Sequence, residues 1–270
     1  MDSNPHNIID DKFLDDFEQA LDRLESEFHD YNVVITGNSK TFSSGMDLKV
    51  LKQLLIVAQS TMDHKTMEIV EKIALYVDRV DKLGWRLFRH PTKTVAAING
   101  HAIAAGTFLA AACDIRVALD NPKYLVGLNE VSNGFCIPYR MLVVCQNAFH
   151  SYSVAQQVLL SGKLLSLHSA ALPYVGFIHQ LVTEDTESQS CAAQPSLLTA
   201  LYRPTGSSDC SAAQSTAAAG ATPLIQRAVE LAHVESKSLL AYRYTKKILQ
   251  KKITSKVEKQ PHQTILDVYR

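Results

Sequence analysis

Lys93-Thr94-Val95-Ala96-Ala97-Ile98-Asn99-Gly100-His101-Ala102-Ile103-Ala104-Ala105-Gly106 sets an apolar run, a turn and a string of small side chains in direct succession. Thr94 to Ile98 reads as a buried strand: it is short, β-branched and apolar, and shows no polar alternation. The Asn99-Gly100 pair is a turn signal that closes it. Ala104-Ala105-Gly106 then opens a helical segment of very small side chains that reaches Ala112. A buried strand handing over to a helix suggests an α/β unit, and the sequence on either side should repeat the alternation.

Upstream it does. Phe13, Leu14, Phe17, Leu21, Leu24 and Phe28 recur at three- and four-residue steps, with Asp10 or Asp11 available as N-cap, which predicts an amphipathic helix. Val33-Val34-Ile35-Thr36 reads as a strand running into a polar loop from Gly37 to Gly45, and helical spacing resumes from Asp47. A longer helix through Met67, Ile73, Val80 and Phe88 is ended by His90-Pro91. Downstream, Asp114 to Leu119 and Tyr124 to Leu128 read as strands. Helices follow near 138–147, 151–160 and 168–174, then a strand over 178–183. The fold class is α/β.

Residues 184–222 break the rhythm. They are dominated by Ser, Ala, Thr and Gln, and are read as a low-complexity flexible insertion between a core, 1–183, and a C-terminal helical region, 223–270. The last helix carries Lys246, Lys247, Lys251 and Lys252, read as a solvated face that suits a helix C-terminus or could meet a ligand phosphate.

The chain has 270 residues, 46% hydrophobic and 20% charged, with Lys+Arg 27 against Asp+Glu 27. A zero formal balance argues against a protein that works by neutralising nucleic-acid phosphates. No apolar run approaches the ~20 residues of a membrane-spanning helix. Cys113, Cys136, Cys145, Cys191 and Cys210 are odd in number and form no CxxC pair, so neither a disulfide framework nor a metal site is expected. Met1 to Asp11 resembles neither a secretory signal nor a transit peptide, and Asp267-Val268-Tyr269-Arg270 is not a peroxisomal tripeptide. The compartment stays open, with a reducing one as the default.

Three stretches place backbone groups or a carboxylate where a strand gives way to a loop or helix. Thr41-Phe42-Ser43-Ser44-Gly45-Met46-Asp47-Leu48 and Ile98-Asn99-Gly100-His101-Ala102-Ile103-Ala104-Ala105-Gly106 bring small residues to a helix start, where N–H groups point outward. Val126-Gly127-Leu128-Asn129-Glu130 ends a short strand in one carboxylate. Singly, such runs are common turn and cap chemistry. Spacing alone yields two candidate backbone donor sites and one candidate base.

Their order and wording carry more. Val33-Val34-Ile35-Thr36-Gly37 … Phe42-Ser43-Ser44-Gly45-Met46-Asp47-Leu48, then Lys93 to Ala102 and Cys113-Asp114-Ile115-Arg116, resemble the crotonase (enoyl-CoA hydratase/isomerase) superfamily. The resemblance covers roughly residues 4–183, and the two C-terminal helices more loosely. It implies a crotonase-like spiral of ββα turns capped by C-terminal helices that build homotrimers or hexamers, an acyl-CoA thioester as substrate, and no metal or redox cofactor. Carried over by position, the N–H groups of Met46 and Ala105 form an oxyanion hole, each worth about 3–4 kcal/mol of barrier by analogy with other such donors. Ser44, Gly45, Asp47 and Leu48 fall at CoA-contact positions, and Asn129 at a substrate contact. Hydratases of the superfamily use two glutamates. Phe108 stands at the first position and Glu130 at the second.

A single base suffices for a 1,3-proton shift, and Asn121-Pro122-Lys123-Tyr124 … Glu130 looks like the Δ3,Δ2-enoyl-CoA isomerases of unsaturated fatty acid β-oxidation. Pro138 stands where dienoyl-CoA isomerases and hydroxyacyl-CoA hydrolases place an Asp. A hydratase-like enzyme relying on Glu130 alone and a non-catalytic acyl-CoA-binding paralogue are the alternatives. Glu130, set against Phe108 and Leu128, should have a raised pKa. His101 and Asp114 are expected to be structural, Lys49 solvated, and Cys113 and Cys136 small core or near-site hydrophobes. Superfamily members begin with one or two strands before the segment matching Pro5-His6-Asn7, so the sheet is expected to lack its first strands and to carry an unpaired edge. Ala105, where many members have Gly, narrows the backbone angles open to that position.

Overall fold

The computed structural model of the chain describes residues 1, 4–38, 40–57, 64–183, 222–233 and 239–260. In order, the elements are β1 (Ile8–Ile9), α1 (Asp11–Ser26), β2 (Val33–Thr36), β3 (Thr41–Ser43), β4 (Gly45–Met46), α2 (Leu48–Val57) and α3 (His64–Phe88). There follow β5 (Thr94–Ile98), β6 (His101–Ile103), α4 (Ala105–Ala111), β7 (Ile115–Leu119), β8 (Leu125–Gly127), α5 (Tyr139–Asn147) and α6 (Tyr152–Ser161). The remainder are β9 (Leu165–Ser166), α7 (Leu167–Ala170), β10 (Gln180–Val182), α8 (Pro223–Ala232) and α9 (Leu239–Lys259).

The strands form two four-stranded sheets and a two-stranded ladder. In the first sheet, β10-β7-β5-β2, every pair is parallel. Its centre explains the unbroken apolar reading of 94–98. Ala96 and Ile98 face the main core, while Val95 and Ala97 join Val34, Val117 and Leu119 beneath Leu224, Ala228 and Ala232 of α8. A strand covered on both faces has no solvent side to mark with polar residues. The second sheet, β3-β6-β8-β9, is parallel except for β9. In the ladder, β1 runs parallel to β4 through Ile8↔Gly45 and Ile9↔Met46.

The long periodic helices fall where the sequence placed them. Asp10 caps α1 by accepting the Phe13 N–H at 2.8 Å, and Phe13, Leu14, Leu21 and Leu24 are buried. Arg79 and Arg86 of α3 reach Asp15, Glu18 and Glu25 on the outer side of α1. The expected loop from Gly37 to Gly45 instead contains β3 and the start of β4, and the Asn99-Gly100 turn leads into a further strand, β6. The helix expected over 168–174 is the shorter α7. Residues 184–221 of the expected insertion lie outside the described residues, and Thr222 is the N-cap of α8, its hydroxyl accepting the Ile225 N–H.

The reading of the last helix as a solvated basic face needs correction at one position. Lys246 is buried: its ammonium donates to Asp114 Oδ2 at 2.7 Å and to the Thr92 carbonyl at 2.9 Å. The same Asp114 oxygen accepts the Tyr242 hydroxyl and the Thr94 N–H, so one carboxylate fastens α9 to β5. Lys247, Lys251 and Lys252 are exposed. Among the described residues, no helix is long and apolar enough to cross a membrane.

Candidate active site

Gly45 opens β4 with φ +83°, a conformation glycine adopts without a side-chain penalty. Space demands glycine as well. A Cβ added there would lie 2.7 Å from the Ile103 carbonyl oxygen and 3.2 Å from the Ala105 nitrogen. The first small-residue run therefore packs directly on the second. Ala105 is the first residue of α4, so its N–H has no carbonyl of its own helix to reach. The unusual backbone falls on its neighbour: Ala104 sits at φ +52°, ψ −122°, and Ala105 itself is helical. The concern raised by alanine at 105 thus belongs one residue earlier, where a non-glycine residue in this region costs about 1–3 kcal/mol.

The third stretch is tied to the second by hydrogen bonds. The Ala104 N–H donates to the Gly127 carbonyl at 2.8 Å. The Thr107 hydroxyl accepts the Gly127 N–H at 2.9 Å and lies within bonding distance of the Ala102 and Gly127 carbonyls. Thr107 was not singled out in the sequence; the signal was a lone hydroxyl in an otherwise apolar, small-sided helix.

Three residues beyond Gly127, Glu130 turns its backbone into a one-turn 3₁₀ helix, Val131–Asn133, and its carbonyl accepts the N–H groups of Asn133 and Phe135 at 2.9 Å. Glu130 is 5% exposed, and neither carboxylate oxygen has a hydrogen-bond partner among the described residues. Burial disfavours the charged form and outweighs the opposing pull of the residue's own backbone amide, raising this carboxyl from 4.5 to about 7. The charge on Glu130 in turn helps push up the fully buried Cys145 thiol of α5, whose main perturbation is its own burial. Phe108 and Leu128 are both fully buried.

The other candidates divide. Asp47 is the N-cap of α2, its carboxylate accepting the Lys49 N–H at 2.8 Å. Ser44 commits both its N–H and its hydroxyl to the His6 carbonyl. Leu48 is an exposed apolar side chain beside them, and Lys49 is exposed. The Asn129 carbonyl organises the turn below Glu130 by accepting from Ser132 and Asn133. His101 has a structural place: Nδ1 accepts the Leu125 N–H and the ring packs edge-on to Tyr124. Asp114 is structural too. Cys113 is buried, but Cys136 is exposed, so the core reading of that thiol is wrong: it follows the buried Phe135 on an open loop. Arg116 is buried, and its guanidinium donates to the Phe177 and Cys113 carbonyls.

Comparison with known proteins gives this arrangement a context. The sequence model of the family described as enoyl-CoA hydratase/isomerase matches residues 1–195. Mitochondrial enoyl-CoA delta isomerase 1 of Homo sapiens is 29% identical over 182 residues, covering 67% of this chain and 55% of that protein. A putative enoyl-CoA hydratase of Thermus thermophilus is 32% identical over 152 residues, covering 56% of this chain and 54% of that protein. The chain spans about half the length of these curated relatives. The crystal structure of human mitochondrial delta3-delta2-enoyl-CoA isomerase superposes with a TM-score of 0.67 at 24% identity, over 99% of this chain and 84% of that one, which bears on the fold. An enoyl-CoA hydratase from Mycobacterium ulcerans gives 0.65, also at 24% identity, over 93% and 86%. The two sheets, the small-residue strand-to-helix turns and the family match agree: this chain belongs to the enoyl-CoA hydratase/isomerase family, within the crotonase superfamily.

Proposed function

We propose that this chain carries the catalytic core of a Δ3,Δ2-enoyl-CoA isomerase. The observation that carries the reading is Glu130: a buried carboxylate, unbonded at both oxygens and raised to about 7, is suited both to take a proton and to give it back. In this scheme Glu130 removes a proton from C2 of a 3-enoyl thioester. The C–H electron pair becomes the C1=C2 bond of a dienolate, and negative charge moves to the thioester oxygen. The N–H groups of Met46 and Ala105 receive that charge. Glu130 then returns the proton to C4: the C3=C4 pair forms the new C4–H bond, the C1=C2 pair shifts to C2=C3, and the oxygen's electron pair re-forms the thioester carbonyl. Ser44, Gly45, Asp47 and Leu48 would line the CoA portion, and Asn129 the acyl portion. No resident cofactor enters the scheme.

A hydratase reading draws support from the Thermus relative. Hydration adds a hydroxyl and a proton across C2=C3 and is served by two acids. Phe108, fully buried at the first hydratase acid position, offers no second carboxylate. A non-catalytic acyl-CoA binder is the third reading. Incubation with a 3-enoyl-CoA should produce the absorbance of the conjugated thioester, and Glu130→Gln should abolish it with little loss of ligand binding. Hydration of a 2-enoyl-CoA at a comparable rate would favour the hydratase, and binding without turnover of either substrate the third reading. We also propose a homotrimer or hexamer, supported by exposed Leu240, Tyr244 and Ile248 at four-residue steps on α9; a monomer by light scattering would refute it.

A further inference from the structure

The Met46 donor is carried by a very small piece of sheet. β1 and β4 pair over only two residues each, Ile8↔Gly45 and Ile9↔Met46. So short a ladder gives little hold on the peptide that must point its N–H at a substrate oxygen. A third element closes its end. Tyr76, on α3 and packed against the main core, donates its hydroxyl to the Ile9 carbonyl and accepts the Asp47 N–H at 3.0 Å. Ile9 is the ladder partner of Met46, and Asp47 is the residue after it. The phenol thus bridges the two strands just past their last pair.

We propose that Tyr76 is a positioning residue for the oxyanion donor at Met46. This rests on the thioester reading of the site. The Asp47 N–H that Tyr76 holds belongs to the peptide that follows Met46, and Gly45 at φ +83° turns the chain just before it, so the phenol fixes the backbone on one side of the proposed donor. Gly45, next in line, packs on Ile103 to Ala105, so the hold on β4 also fixes how the Met46 and Ala105 amides stand relative to one another. The rigid aromatic stem on a 25-residue helix makes the hydroxyl a fixed post. No other part of the chemistry needs it, since Tyr76 touches neither Glu130 nor the substrate in this scheme.

The test is Tyr76→Phe, which removes one oxygen and keeps the ring in its packing. Wild type and variant are compared by infrared difference spectroscopy with bound hexanoyl-CoA carrying ¹³C at the thioester carbonyl. That substrate is saturated, so no turnover intervenes. Two oriented donors lower the carbonyl stretching frequency, and the variant should show a smaller, broader downshift. With a 3-enoyl-CoA, kcat should fall by about 10- to 100-fold while KM changes little, as for a donor displaced by a fraction of an ångström. The Asp47 amide should exchange with deuterium faster in the variant, a readout that does not depend on activity. A wild type that binds hexanoyl-CoA with no carbonyl downshift overturns the thioester reading and this inference with it. A wild-type downshift that Tyr76→Phe retains in full, with unchanged kcat, overturns the inference alone.

Discussion

Replacing Glu130 with Gln should stabilise the protein, and by an amount that depends on pH in a defined way. The carboxyl is raised from 4.5 to about 7 because burial penalises its charge by more than its own backbone amide offsets. That displacement is worth about 3 kcal/mol between the two protonation states. The native state keeps the proton in a range where the unfolded chain has already released it, so stability falls as pH rises from 4.5 to about 7, and the whole cost is present above that. Gln is neutral throughout and close in shape to the protonated acid. Urea unfolding of both proteins at several values between pH 4 and 8 isolates the contribution, because the other titrating groups are common to both. The difference should be near zero at pH 4 and reach about 3 kcal/mol in favour of Gln at pH 8. A difference that stays flat with pH, or that favours Glu at pH 8, would mean the carboxylate finds compensation in the folded state, and the argument for its basicity would fail.

For the proposed isomerisation, kcat/KM should rise with pH through about 7 as Glu130 becomes free to accept a proton; an activity flat from pH 5 to 8 would exclude this group as the base. Gly45→Ala must accommodate φ +83° and a Cβ 2.7 Å from the Ile103 oxygen, so it should cost about 1–3 kcal/mol in urea unfolding and remove turnover. Lys246→Met breaks a buried pair with Asp114 and should lower stability by about 3–5 kcal/mol, with faster proteolysis within α9. Gly84→Ala places a Cβ 2.1 Å from the Phe108 ring, so overpacking of about 1–3 kcal/mol should outweigh the better helix propensity of alanine. Phe108→Leu in the same background should recover part of that loss, as measured by thermal unfolding.

What the sequence disclosed follows from the length of each signal. Helices α1 and α3 bury several turns of apolar side chains, and that repetition is visible without a structure. The strand 94–98 was equally plain. β1, β4 and β6 are two or three residues long, too short for any period, and they exist because of partners elsewhere in the chain. The polar residues divide by the same rule. Glu130, Met46 and Ala105 lie in contiguous motifs whose wording resembles a known superfamily. Tyr76 works on Asp47 across 29 positions and Lys246 on Asp114 across 132, and nothing local announces either. Lys246 looked solvated because its neighbours Lys247, Lys251 and Lys252 are, and only the fold turns one ammonium inward.

In the proposed scheme, the left-handed backbone at Ala104 governs how activity could be lost or regained during divergence. A reacting group made of main chain cannot be deleted by exchanging the residue that bears it, since every amino acid except proline brings the same amide. It can only be bent out of aim. The mutable letters are then the small residues that hold the curve, and a chain of this kind could fall silent with its acid intact. A glycine at 104 would relax the bend at the expense of a floppier unfolded chain, and natural drift between these two residues would adjust rigidity while leaving the chemistry in place.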